Sequence, residues 1–265
     1  MPTGRHCTRC GRPACGNCLH SASVGSQCTD CIRASRPPAA ERARRFEATH
    51  PTLVAMVLIG INVAFFVVGL AWNAKGGLFN GRSDMLVKYG LYGPAVDAGE
   101  WYRIVTSGFL HFGILHIAMN MYFIWVISKL VEPAVGHLRF LGLYLTALVW
   151  GSAGAMFLDP NALTAGASGT AFGLMAAALV GFQLRGMPLW RTDLFGLLIL
   201  NLVITFTIPG ISEGGHVGGI LGGAAAGLVV LRPIRGKRPA WEYGALAVLF
   251  AIGFIACLQF AARGV

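Results

Sequence analysis

Four polar residues with catalytic potential, Ser168, His216, His116 and Asn120, lie within strongly apolar stretches of the chain. Polar side chains are costly inside a lipid bilayer, so those that occur there usually have a function. A serine is a nucleophile, a histidine is a general base, and N–H groups stabilise the oxyanion of a tetrahedral intermediate. This set of residue types predicts an enzyme that cleaves peptide bonds within or beside a membrane.

The serine and histidine predict a catalytic dyad, because no carboxylate falls in the outer half of the two segments that carry them. A serine hydroxyl is a weak nucleophile at neutral pH, so His216 would accept the proton of Ser168 and return it to the leaving amine. Phe172, four residues after Ser168, would stack on the imidazole. We expect His116, Asn120 and the backbone N–H of Ser168 to stabilise the oxyanion.

Seven apolar segments are expected to carry these residues across the membrane. The chain has 265 residues, 55% of them hydrophobic and only 12% charged, and a spanning helix needs about 17–25 mostly apolar residues. The predicted spans are Thr52–Trp72, Ile114–Val131, Leu138–Leu158, Ser168–Leu184, Asp193–Pro209, His216–Leu231 and Trp241–Ala262. The second, fourth and sixth spans enter from the same side, which would bring the four polar residues to a similar depth.

The net charge of +10 could indicate nucleic-acid binding, but its distribution predicts membrane orientation instead. Lysine and arginine cluster before the first span and after the second, fourth and sixth, whereas the loops Asp159–Ala167 and Gly210–Gly215 contain neither. We therefore expect a multi-pass plasma-membrane protein with a cytoplasmic N-terminus, an external C-terminus, an external loop Asn73–Gly113 and no nucleic-acid partner. The first 50 residues show no secretory signal pattern, so the first span would be an uncleaved anchor.

Six of the seven cysteines form three CxxC pairs near the N-terminus: Cys7/Cys10, Cys15/Cys18 and Cys28/Cys31. Two such pairs supply the four thiolates of a structural zinc site, and in a cytoplasmic tail zinc is favoured over disulfides. In a cross-braced arrangement the first pair would join the third. The middle pair would then need two more ligands, for which His6, His20 or residues before Met1 are the candidates.

Four motifs in order give the chain from about Pro51 onward a resemblance to the rhomboid intramembrane serine proteases. They are WYR at Trp101–Arg103, the histidine and asparagine pattern in HFGILHIAMN, GASG at Gly166–Gly169 and GHVGG at Gly215–Gly219. The resemblance implies a six-helix core with one extra C-terminal helix and no cofactor for catalysis. It implies that Ser168 is the nucleophile, His216 the base, and His116 and Asn120 the oxyanion stabilisers. The residues given structural or supporting roles are Arg103, Phe172, Gly166, Gly169 and Glu132, the last of which closes the second span.

The cysteine-rich segment is similar to the B-box-like zinc ribbon that precedes some bacterial rhomboid proteases. We therefore predict a cytoplasmic zinc module at residues 1–33, a basic linker at 34–50 and the protease domain at 51–265. The linker is either a solvated tether or a basic helix on anionic lipid. The zinc module could regulate the protease, recruit a cytoplasmic partner or simply cap the tail.

The predicted substrates are single-span membrane proteins whose helix frays near the outer membrane face. The main alternative is an inactive rhomboid-like protein that binds membrane clients, although such a protein would normally have lost Ser168 or His216. A transporter or a b-type cytochrome that uses the histidines as ligands is a further alternative.

Overall fold

The computed structural model describes residues 4–72, 83–234, 236 and 238–263. The first part of the predicted external loop, residues 73–82, therefore lies outside the described residues, as do two of the cations after the sixth span, at positions 235 and 237. The chain forms two compact units, Met1–Thr49 and His50–Val265.

The first unit contains a short hairpin and two helices. Strand β1 (Leu19–Ser21) pairs antiparallel with β2 (Ser26–Cys28), and helices α1 (Thr29–Ala34) and α2 (Ala39–Thr49) follow. In the described part of this unit the buried apolar side chains are those of Cys7 and Cys28. A core this small needs an additional cross-link, such as a bound metal ion, to be stable.

The second unit is helical. Its helices are α3 (Leu53–Trp72), α4 (Asp84–Tyr89), α5 (Gly93–Asp97), α6 (Arg103–Thr106), α7 (Ile114–Val135), α8 (His137–Leu158), α9 (Ser168–Gln183), α10 (Asp193–Thr207), α11 (Glu213–Val230) and α12 (Trp241–Ala261). Seven of them match the predicted spans, with every end within about four residues of the prediction. The predicted all-α polytopic architecture is thereby confirmed.

Four of these helices, α3, α7, α8 and α12, are long and apolar enough to cross a membrane. Helices α9 and α10 are apolar but shorter, and α11 is rich in glycine. The largest difference from the prediction is at the end of α7, which continues past Val131 to Val135. It ends at Gly136, whose φ of +83° favours glycine.

Helix α11 packs directly against α8 and α9, and glycine permits the close approach. A Cβ atom on Gly173 of α9 would lie 2.5 Å from Ala147 Cβ of α8 and 2.7 Å from the Gly219 oxygen of α11. Small residues let helix backbones touch in this way inside a membrane. The positions of α9 and α11 are therefore set by backbone contact, which fixes the residues at their ends.

Helices α12 and α10 lie outside this centre. Helix α12 is held to α8 by a hydrogen bond from Trp150 Nε1 to the Leu249 oxygen and by an ion pair between Arg139 and the fully buried Glu242. Helix α10 has only two buried residues, Leu198 and Thr205. Helix α12, which corresponds to the seventh predicted span, is thus fixed to α8, whereas α10, the fifth, has few buried residues.

Candidate active site

The structure brings Ser168 and His216 into hydrogen-bond contact. Ser168 is the first residue of α9, and His216 lies in the first turn of α11, where the Ser212 hydroxyl caps the helix by accepting the Gly215 N–H. The Ser168 hydroxyl lies 2.8 Å from His216 Nε2. A Cβ on Gly169 would lie 2.8 Å from the Gly215 oxygen, and a Cβ on Gly219 would lie still closer to the Gly169 oxygen, so a glycine of each motif is needed for this approach.

Two further side chains hold the His216 ring. Phe172 stacks on it with 4.1 Å between ring centroids and 20° between the ring planes. Thr205 of α10 contacts the ring at its edge, with its hydroxyl 2.7 Å from His216 Nδ1. The stacking partner was among the residues predicted from sequence, whereas Thr205 was missed, because a threonine in an apolar helix carries no local signal of such a contact.

His116 and Asn120 of α7 converge on the loop before Ser168. A Cβ on Gly166 would lie 2.7 Å from His116 Cε1 and 3.6 Å from Asn120 Nδ2. Gly166 has a φ of +134°, which favours glycine, and its N–H donates to the Ser107 oxygen. Among the described residues the buried Asn120 Nδ2 has no hydrogen-bond partner. A buried donor without a partner, next to the loop before Ser168, is suited to bind an oxyanion.

His111 lies next to this group. Its ring contacts the His116 ring edge-on with 5.1 Å between centroids, and Phe112 stacks on the same ring at 6.1 Å. These two contacts orient the His116 ring.

Arg103 is buried in the segment between α3 and α7 and connects residues of this segment by hydrogen bonds. Its Nε donates to Glu100 at 2.6 Å, and its Nη1 donates to the backbone oxygens of Val87 and Gly90, both at 2.8 Å. The hydrogen bond from Arg103 lowers the pKa of the Glu100 carboxyl. Burial, followed by the hydrogen bond to Glu100, raises the pKa of Tyr102. The contacts of Arg103 are those of a residue that orders the loop.

Glu132 is fully buried and caps α3 from its position near the end of α7. Its two oxygens accept the backbone N–H groups of Val54 at 2.8 Å and Ala55 at 2.9 Å. The first oxygen also lies 2.7 Å from His137 Nδ1. The carboxylate satisfies two N–H groups that have no partner within their own helix.

The cysteine pairs of the first unit divide into one group of four and one separate pair. The Sγ atoms of Cys7, Cys10, Cys28 and Cys31 all lie within 4.8 Å of one another. Cys15 and Cys18 Sγ lie 3.1 Å apart and join no group of three or more metal-binding side chains among the described residues. The first pair therefore meets the third, in the cross-braced arrangement.

The four thiols fit a tetrahedral zinc site. Zn–S bonds of about 2.3 Å place tetrahedral sulfur atoms about 3.8 Å apart, and Cys10 Sγ and Cys28 Sγ lie 3.8 Å apart. Whereas the hydrogen bond with Cys10 raises the pKa of Cys31 to about 12, the hydrogen bond that the Cys28 N–H donates to Cys7 Sγ is the main cause that lowers the pKa of Cys7 to about 6. Such a thiol is largely a thiolate at neutral pH, the form that binds zinc.

Known proteins are similar to this chain over its membrane region. A rhomboid-domain model matches residues 98–233, about half of the chain. The chain is 33% identical over 215 residues to rhomboid protease GluP of Bacillus subtilis, covering 79% of this chain and 41% of GluP. It is 28% identical over 256 residues to Rhomboid-like protease 1 of Toxoplasma gondii, covering 91% and 85%. Against Rhomboid-type serine protease 2 of Emericella nidulans it is 31% identical over 147 residues, covering 52% and 28%.

The match includes every element that positions the serine, the histidines and the asparagine, from the loop before α6 to the end of α11. The chain spans less than half the length of GluP but most of the Toxoplasma relative. The fold, the order of the motifs and these similarities lead to one conclusion: the chain belongs to the rhomboid family of intramembrane serine proteases.

Proposed function

We propose that this protein is an intramembrane serine endopeptidase in which Ser168 is the nucleophile and His216 the general base. The observation that carries the proposal is the 2.8 Å contact between Ser168 Oγ and His216 Nε2 at the ends of two apolar helices. A general base must lie within this distance of the proton that it removes. The stacking of Phe172 supports the role of His216, because it holds the ring in the plane of the contact.

In the proposed reaction Ser168 Oγ attacks the scissile carbonyl carbon while its proton passes to His216 Nε2. The carbonyl oxygen becomes an oxyanion, which we assign to the side chains of His116 and Asn120 and the Ser168 backbone N–H. The buried, unpartnered Nδ2 of Asn120 beside Gly166 supports this assignment. Cleavage of the C–N bond transfers the proton from His216 to the leaving amine, and water then releases the acyl group by the same steps in reverse.

The proposed substrates are single-span membrane proteins that enter the site as an extended segment. A peptide bond in an intact helix is hydrogen-bonded and shielded, so glycine, proline or polar residues that unwind the substrate helix near the outer membrane face would favour cleavage. This orientation assumes that the N-terminus is cytoplasmic, the C-terminus is external and the protein resides in the plasma membrane. The distribution of arginine and lysine between the loops supports it.

The test combines covalent labelling with proteolysis. Purified wild type, Ser168→Ala and His216→Ala are each incubated with a fluorophosphonate probe and with a model single-span substrate in lipid vesicles. Ser128→Ala is the matched control, because Ser128 is buried in α7 and its hydroxyl donates only to its own helix, at the Trp125 oxygen. We expect wild type and Ser128→Ala to label and cleave and the two dyad variants to do neither. A folded wild type that binds substrates but neither labels nor cleaves would instead support a client-binding protein.

We further propose that Cys7, Cys10, Cys28 and Cys31 bind one structural zinc ion that stabilises the first unit. The support is the 3.8 Å sulfur spacing and the small buried core of that unit. Metal analysis of the full chain is expected to give about one zinc per molecule, none in Cys10→Ser/Cys31→Ser, and about one in Cys15→Ser/Cys18→Ser. Proteolysis should persist in all three, because catalysis needs no metal; loss of activity in folded Cys10→Ser/Cys31→Ser would make the module part of the enzyme.

The lipid partner proposed for the segment after the module is an anionic headgroup. Arg36, Arg42 and Arg45, with Pro37, line a cleft of about 500 Å³ formed by α2 and the segment that precedes it. Arginines close to a membrane-spanning helix attract anionic lipid. Arg36→Gln/Arg42→Gln should weaken binding of the full chain to phosphatidylserine probes in mixed micelles relative to phosphatidylcholine, and equal binding would refute the proposal.

A further inference from the structure

The hydrogen bonds around His216 form a directed chain that extends beyond the dyad. Thr205 is 1% exposed, and its hydroxyl lies 2.7 Å from His216 Nδ1 and 2.7 Å from the backbone oxygen of Asn201. A hydroxyl has one proton to donate, and a carbonyl oxygen can only accept. The Thr205 proton therefore belongs to the bond to Asn201, so the hydroxyl accepts the proton on His216 Nδ1.

This direction determines which nitrogen of His216 faces the serine as a base. A neutral imidazole carries one proton, so Nδ1–H leaves Nε2 unprotonated. Nε2 is the atom that lies 2.8 Å from Ser168 Oγ. The opposite tautomer would place N–H against the serine hydroxyl and could not accept its proton. The tautomer that catalysis requires is thus the one that the Thr205 hydroxyl selects.

We propose that Thr205 is a positioning residue that fixes the tautomer and the in-plane orientation of the base, an inference that rests on the proposed function of His216. Phe172 stacks on the ring face and limits tilting, while the bond to Thr205 limits rotation of the ring within its own plane. The hydroxyl continues to accept Nδ1–H when the ring becomes imidazolium during attack.

The contact also involves a third helix in the site. Of the described residues of α10 only Leu198 and Thr205 are buried, so Thr205 is one of two buried anchors of this helix. Helix α10 carries neither nucleophile nor base, yet the base is oriented only while α10 packs beside α11. Displacement of α10 would leave His216 Nδ1–H without its acceptor.

Isosteric substitution tests the hydroxyl separately from packing. Thr205→Val keeps the shape and removes the hydroxyl, and Thr205→Ser restores it. Thr207→Val is the matched control, because Thr207 lies on the same helix, donates to the Val203 oxygen in the same way and is exposed. All variants are prepared as the full chain, their thermal unfolding is compared, and kcat, KM and the rate of fluorophosphonate labelling are measured.

We expect Thr205→Val to lower kcat and the labelling rate by about ten- to a hundredfold, the range for a buried donor left unpaired, with KM within about twofold. Thr205→Ser should stay within about threefold of wild type, and Thr207→Val should be unchanged. A Thr205→Val enzyme with wild-type kcat, or a Thr205→Ser enzyme as impaired as Thr205→Val, would overturn the inference.

A spectroscopic measurement separates this inference from the proposed function. In protein labelled with ¹⁵N in its histidine rings, His216 should show a protonated Nδ1 and an unprotonated Nε2, and Thr205→Val should show a mixture of tautomers. An unchanged tautomer in Thr205→Val would refute the role of Thr205 even if wild type is active. If wild type shows the expected tautomer but neither labels nor cleaves, the proposed function fails and the hydrogen-bond assignment stands.

Discussion

Substitution of Gly173 by alanine should impair catalysis from a position that touches no substrate. Gly173 lies on α9 five residues after Ser168, and an added Cβ would lie 2.5 Å from Ala147 Cβ and 2.7 Å from the Gly219 oxygen. Restoring an ordinary contact of about 3.4 Å to that oxygen requires α9 and α11 to separate by about 0.7 Å. The same separation would stretch the 2.8 Å bond between Ser168 and His216 to about 3.5 Å, the limit of a hydrogen bond.

We expect Gly173→Ala to lower kcat by about ten- to a hundredfold, because a displacement of about 1 Å at reacting groups can cost that much. Overpacking a tight core should also destabilise the fold by about 1–3 kcal/mol. Substrate cleavage in lipid vesicles and thermal unfolding measure the two effects. Gly244→Ala is the matched control, since a Cβ on this glycine of α12 would have no atom of the described residues within 4 Å.

The double variant Ala147→Gly/Gly173→Ala separates stability from catalysis. Removing the Ala147 methyl relieves the contact with α8, while the contact with the Gly219 oxygen of α11 remains. We therefore expect much of the stability to return and little of the activity. If Gly173→Ala cleaves within about threefold of wild type, the backbone contact between α9 and α11 does not set the geometry of the dyad.

Other perturbations test the elements that support the site. Arg103→Ala should lower both the unfolding temperature and the activity. Arg103→Lys should recover little of either, because an ammonium group cannot reproduce a guanidinium that bonds to one carboxylate and two carbonyl oxygens. Full recovery in Arg103→Lys would contradict this. Glu132→Ala should destabilise the fold by about 2–5 kcal/mol, measured by thermal or denaturant unfolding, because two buried backbone N–H groups lose their acceptor. Unchanged stability would show that other groups cap α3. Phe172→Ala should lower kcat more than it raises KM in steady-state assays, since the Phe172 ring stacks on His216 and holds the proposed base. An effect on KM alone would assign Phe172 to substrate binding.

The spans and the motifs could be read from sequence because they depend on local composition. Transfer of apolar side chains into lipid is additive along a helix, so the seven segments were located within about four residues. The end of α7 was placed too early because Glu132 suggested an interface, whereas that carboxylate is buried and paired with the start of α3. Its partners lie 77 and 78 residues away in the chain, where no local pattern indicates them.

By itself the sequence predicted that Ser168, His216, His116 and Asn120 lie near the same end of their apolar segments, because the order of the spans and the spacing of these residues along them suffice for that. Only the tertiary structure decided the contacts between side chains, because those depend on how closely the helices approach and how they are rotated. Glycine backbone contacts bring α9 and α11 close enough for the 2.8 Å bond between Ser168 and His216. The same packing places the Thr205 hydroxyl of α10 on the other nitrogen of the base, a contact between helices that spacing along one helix does not specify.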